Sequence, residues 1–70
     1  MRLRIELEKE VDGRWLAEVV DMPGVLAYGK TSLEAITQVE ALALRVLAER
    51  LEHREMSPDE LTVSFALAAA

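Results

Sequence analysis

Residues 2–20, Arg2-Leu3-Arg4-Ile5-Glu6-Leu7-Glu8-Lys9-Glu10-Val11-Asp12-Gly13-Arg14-Trp15-Leu16-Ala17-Glu18-Val19-Val20, decide the fold. The first half alternates. Leu3, Ile5 and Leu7 fall on one side of an extended chain and Arg2, Arg4, Glu6 and Glu8 on the other, the period of two that marks a strand with one buried face. Val11-Asp12-Gly13 then reads as a three-residue hairpin loop, with Gly13 in the left-handed conformation at its end. That loop fixes a register in which Leu7 lies opposite Ala17 and Ile5 opposite Val19. The second strand, Arg14 to Val20, turns Trp15, Ala17 and Val19 toward the core. Leu16 and Val20 join Glu18 on the other face, which is therefore not purely polar.

Downstream, Asp21-Met22-Pro23-Gly24 is a turn. Proline presets φ at the first central position of a type II turn, and glycine accepts the positive φ of the second. A third strand is expected from Val25 to Tyr28, closed by Gly29-Lys30. Thr31-Ser32-Leu33-Glu34 is a capping box that opens a helix. At 100° per residue, Ala35, Ile36, Val39, Leu42, Ala43, Val46 and Leu47 form one broad apolar arc, wide enough to cover one face of a small sheet. Leu33, Ala41, Leu44, Ala48 and Leu51 form a second arc that the same sheet cannot bury. Arg50, His53 and Arg54 are expected in the last turn, where cations complement the helix dipole, with Ser57-Pro58 as the stop. Leu61, Val63, Phe65 and Leu67 alternate with Thr62, Ser64 and Ala66 as a fourth strand, followed by alanines. The order β-β-β-α-β predicts an α+β fold in a single domain over residues 1–70. One mixed four-stranded sheet is covered on one face by a single long helix, the last strand lying parallel to the first at the free edge of the meander.

A chain of 70 residues buries only about 60% of its unfolded surface. Domains this small recruit disulfides, a metal or a second subunit, and this one has no cysteine and one histidine. A homo-oligomer, dimer or tetramer, is the expectation that remains. Leu16, Val20 and Leu26 on the outer sheet face, with the second helix arc, supply apolar surface that soluble monomers seldom leave bare. Thirteen acidic against eight basic residues give a net charge of −5, which repels phosphate backbones and favours basic partners, so direct nucleic-acid binding is not expected. No apolar run approaches a bilayer span and the N-terminus has no signal-like apolar region; a cytoplasmic protein without membrane contact is expected.

Residues of catalytic type are few. Glu6 and Glu18 fall cross-strand, positions from which two carboxylates can hold a cation or share a proton, but a solvated strand surface with Arg4 diagonal to Glu18 accounts for them. His53 has no cysteine, serine elbow or second histidine to work with. Gly24-Val25-Leu26-Ala27-Tyr28-Gly29-Lys30-Thr31 formally matches a phosphate-binding loop, yet the residues between its glycines are strand formers. No metal and no cofactor are expected.

Gly13-Arg14-Trp15-Leu16-Ala17-Glu18-Val19-Val20-Asp21-Met22-Pro23-Gly24, followed by Tyr28-Gly29-Lys30-Thr31 and Glu34-Ala35, resembles the HicB-type antitoxin family. The shared pattern is an aromatic-x-A-E-V strand, a D-x-P-G turn, a G-x-T cap and an E-A pair in the first helical turn, together about half the chain. The resemblance implies a partial ribonuclease-H-like fold. It also implies function by binding: neutralising a small, basic HicA-type ribonuclease toxin by covering its active surface. Many members add a C-terminal DNA-binding module; only alanines follow the last strand here, so operator binding by this chain is not expected. Two alternatives compete. One is an orphan self-assembling domain without a toxin partner. The other is a metal-dependent nuclease of ribonuclease-H-like descent, for which Glu6, Glu18 and Asp21 are spread along a strand pair and do not converge. The chain is thus expected not to be an enzyme. The expected partner contacts are Leu16, Glu18 and Val20 of the outer face and Asp21 and Met22 of the turn; Pro23, Gly24, Gly29 and Thr31 are assigned to turn geometry and the helix cap.

Overall fold

The computed structural model of the chain describes residues 1–68; Ala69 and Ala70, the end of the alanine tail, lie outside the described residues. Four strands, β1 (Arg2–Lys9), β2 (Trp15–Val19), β3 (Leu26–Gly29) and β4 (Ser64–Leu67), form one sheet in the order β3-β2-β1-β4. A helix, α1 (Ser32–Glu52), joins β3 to β4, with a short 3-10 turn at Pro58–Glu60 before the last strand. The fold is α+β with a mixed sheet. β1 and β2 are antiparallel in the register set by the hairpin, Ile5 opposite Val19 and Leu7 opposite Ala17, and β4 runs parallel to β1 with Leu3 opposite Phe65.

The hairpin closes through the Glu10 amide donating to the Arg14 carbonyl at 2.7 Å and Gly13 donating to Glu10 at 3.0 Å. In the next turn Gly24 sits at φ +86°, the positive value a type II turn demands of its second central residue, and the Val25 amide donates to the Met22 carbonyl at 3.0 Å. At the helix start, the Thr31 hydroxyl accepts from the Glu34 amide at 3.0 Å, the N-cap half of the expected capping box. Gly29 has a different reason to be glycine. A Cβ there would come within 2.4 Å of the Ala35 backbone nitrogen, so its hydrogen atom lets the first turn of α1 rest directly on β3.

Leu3, Ile5, Ala17, Val19, Met22, Val25, Ala35, Val39, Ala43 and Leu47 form the buried core, with Ile36, Leu42 and Val46 packed at its margin. The principal helix arc thus faces the sheet. Small residues line both sides of the contact, Ala17 and Ala27 from the strands and Ala35 and Ala43 from the helix, which brings the two layers close. α1 lies on β3 and β2 and touches β1 only at its margin. The second arc is only partly covered: Leu33 is 71% exposed and Leu44 50%, while Ala41 and Leu51 are half-buried.

Several boundaries differ from the sequence expectation: β2 is Trp15–Val19, one residue shorter at each end than Arg14 to Val20, and β3 ends at Gly29 and not Tyr28. β3 begins one residue later, at Leu26, because the Val25 carbonyl closes the turn by accepting from the Val19 amide. α1 ends at Glu52, five residues short of Ser57, in a Schellman motif. Arg54 takes the left-handed conformation at φ 58°, Glu55 donates to the Arg50 carbonyl at 2.8 Å and Arg54 to Leu51 at 3.1 Å. Arg54 is therefore outside the helix, and His53 is its C-cap. Finally, β4 begins at Ser64 and not Leu61, since the chain is still leaving the 3-10 turn at Leu61.

Candidate functional site

The sheet has two unlike faces. α1 covers the inner one. The outer face carries the alternate residues of each strand, and no other element of the described chain lies over it. Cross-strand pairing places Tyr28, Leu16 and Glu8 in one row and Leu26, Glu18 and Glu6 in the next. Glu6, Glu8 and Glu18 surround Leu16 in a shallow depression of about 230 Å³, whose lining also includes Leu7. Beside it, Leu26 and Tyr28 are 40% and 43% exposed.

Two of the cations on this face, Arg4 and Arg14, are already engaged. Toward one end, Arg14 pairs with Asp12 at 2.7 Å and lies 4.5 Å from the centroid of the Tyr28 ring. Toward the other, Arg4 donates from Nη2 to Asp21 Oδ1 at 3.0 Å, and its backbone amide donates to Oδ2 at 2.8 Å. Arg2 lies beyond, level with Ser64 of β4. Among the described residues, Glu6, Glu8 and Glu18 enter no ion pair. Like charges directly opposite on adjacent strands cost stability, so Glu6 against Glu18 is an arrangement that the fold tolerates and gains nothing from.

The five expected contact residues separate on this geometry. Leu16 and Glu18 lie at the centre of the outer face, half-buried between neighbouring strands. Val20 is 38% exposed but lies just past the end of β2, where its amide donates to the Arg4 carbonyl at 2.9 Å. Asp21 is a clamp between β1 and the turn; the Arg4 guanidinium, with help from the Arg4 amide, holds its carboxyl below the ordinary carboxylate value. Met22 requires a correction. It is 3% exposed, because the Pro23-Gly24 turn folds the chain back and drops this side chain between Val19 and Val25 into the core, so it is not available as a surface contact.

Tyr28 was the residue missed at the sequence level, although the signal was present: once Leu26 is assigned to the outer face, alternation puts Tyr28 there too. The string resembling a phosphate loop is excluded as one by its geometry. Leu26–Gly29 is a strand paired to β2, so its backbone is committed to the sheet and does not form a cradle. No group of three or more acidic or histidine side chains among the described residues is placed to hold a metal ion. No helix among them is long and apolar enough to cross a membrane. Comparison of the chain with family models, with curated proteins and with solved structures finds no match in any of the three.

Proposed function

We propose that this chain is a protein-binding module of the antitoxin type, acting in the cytoplasm, whose open sheet face covers a small basic ribonuclease of the HicA kind. The observation that carries the reading is the outer face itself: three carboxylates without ion-pair partners, Glu6, Glu8 and Glu18, set around Leu16 and bordered by Leu26 and Tyr28. A basic partner supplies what this face lacks. Its lysines or arginines would relieve the Glu6–Glu18 repulsion, and an apolar side chain seated over Leu16 would exclude water from the ion pairs around it. The net charge of −5 steers such a partner from a distance. The motif set that resembles the HicB-type family supports the same reading from the sequence side.

The test is suppression of RNA cleavage by a HicA-type ribonuclease encoded in the same genome. The intact chain is expected to abolish cleavage near equimolar ratio. Glu18→Lys and Leu16→Asp, both folded by circular dichroism, are expected to need at least about tenfold more protein, the loss of one central contact of about 1.4 kcal/mol. Undiminished cleavage at a large excess of the intact chain, or equal suppression by both variants, contradicts the proposal.

A further inference from the structure

We propose that β4 is a self-pairing edge: a second copy of this chain adds its own β4 antiparallel to the first, about a two-fold axis at Ala66, to make one continuous sheet of eight strands. The inference does not rest on the antitoxin reading. It starts from the backbone. Ser64 donates to the Met1 carbonyl at 3.0 Å and Ala68 to the Ile5 carbonyl at 2.8 Å, so the even-numbered residues of this strand face β1. The intervening residues, Phe65 and Leu67, therefore direct their N–H and C=O groups to the open side of the sheet. An antiparallel copy centred on Ala66 sets Phe65 against Leu67 of the second copy and Leu67 against its Phe65, as hydrogen-bonded pairs. Every open group of these two residues is then satisfied, and the match is with itself.

The side chains agree. In a parallel pair, residues level with one another share a face, so Phe65 and Leu67 point to the helix side, as their partners Leu3 and Ile5 do. Because α1 lies mainly over β3 and β2, these two side chains are incompletely covered: Leu67 is 59% exposed, and Phe65, at the margin of the core, is only partly buried. A two-fold axis normal to the sheet keeps both helices on the same side, with the two Phe65–Leu67 pairs between them. The strand is short, at four residues, but it carries neither of the side-chain devices that keep natural edges apart, since Ser64-Phe65-Ala66-Leu67 has no charge and no proline. The opposite edge, β3, is covered by α1 on its inner face.

The register matches itself, which singles out a second copy as the occupant, and the surface area leaves room for one. The chain exposes 4968 Å², roughly 600 Å² more than a compact monomer of its mass would. Its Cα radius of gyration is 12.8 Å, against about 11 Å for a compact domain of this length. The excess is close to the roughly 800 Å² that each partner contributes to a standard interface. An uncharged edge is also where two copies, each carrying −5, approach with least repulsion.

Sedimentation equilibrium on the full chain tests this, with Leu67→Lys, Leu67→Pro and, as a control on the second helix arc, Leu44→Glu, each checked by circular dichroism. The intact chain and Leu44→Glu are expected to sediment at twice the chain mass at about 100 μM. Leu67→Lys places a charge in the seam, and Leu67→Pro removes an outward-facing amide that the protomer does not use; both are expected to be folded monomers. Leu67→Lys carries the test alone if the proline variant does not fold. A monomeric intact chain, a dimer that survives Leu67→Lys, or a dimer lost only in Leu44→Glu overturns the proposal.

Discussion

Arg4 and Asp21 show how one residue pair ties two elements together. Asp21 receives the Arg4 backbone amide on one carboxylate oxygen and the guanidinium on both, at 2.8 Å, 3.0 Å and 3.4 Å, which joins the end of β2 to β1 just where the chain turns away. These bonds lower the Asp21 pKa from its ordinary value of 3.8. The folded state then binds fewer protons than the unfolded chain in acid, so the stability Asp21 contributes is complete above that value and is lost as pH falls through the lower folded pKa. Urea unfolding of Asp21→Asn and the intact chain should therefore show a gap at pH 7 that closes as the pH is taken well below 3.8; a gap of constant size contradicts the clamp. Gly24 makes a second point at this scale. A Cβ there would touch nothing within 4 Å, so Gly24→Val loses stability through φ +86° alone, a cost of about 1–2 kcal/mol readable from the same unfolding curves. An unchanged midpoint would mean the turn is drawn wrongly. Met22 was misread at this scale: a turn cluster of Asp, Met, Pro and Gly signals exposure by composition, and nothing local says that one of its side chains re-enters the core.

At the scale of elements, legibility followed the strength of the local signal. β1 alternates without a break, and a three-residue loop admits one register, so the pairing of Ile5 with Val19 was readable before any coordinates. The start of α1 was equally clear, because a threonine cap leaves a chemical signature. Its end was not. The left-handed C′ position is held by Arg54 at φ 58° and not by the glycine that usually announces it, so the sequence pattern gives no stop before Ser57-Pro58. Arg54→Gly should relieve that residue and raise stability by about 1 kcal/mol, a rise of roughly 5 °C in melting temperature for a domain this small. A lower melting temperature would mean that the Arg54 side chain holds the cap by contacts of its own.

The whole molecule combines one well-filled layer contact with open surfaces on the outer sheet face, at the β4 edge and along part of the second helix arc. It measures 40 × 21 × 17 Å, long because a helix of 21 residues outruns the strands it crosses. Periodicity told which arc of α1 faces inward, but not that the helix would settle over β3 and β2 and leave β4 uncovered. That placement depends on the close contact at Gly29 and on small residues in both layers, properties of the assembled fold and not of any one segment. The outer face was legible in part. Alternation put Leu16 and Glu18 there, while the commitment of Arg4 and Arg14 to their own aspartates, which leaves the glutamates without ion pairs, emerges only in three dimensions. The two proposed binding surfaces are separable, one on the sheet face and one at its edge, so a dimer through β4 would present two acidic faces side by side on one continuous sheet.

The claim on which this account turns is that the open sheet face is the binding surface. The most direct measurement is a map of backbone amide shifts by NMR as the basic HicA-type ribonuclease is titrated into the labelled chain. The largest changes are expected at Glu6, Glu8, Leu16, Glu18 and Tyr28, with α1 little affected and the changes weakened by added salt. Changes centred on Leu33 and Leu44 of the helix, or none at all at saturating partner, would contradict it.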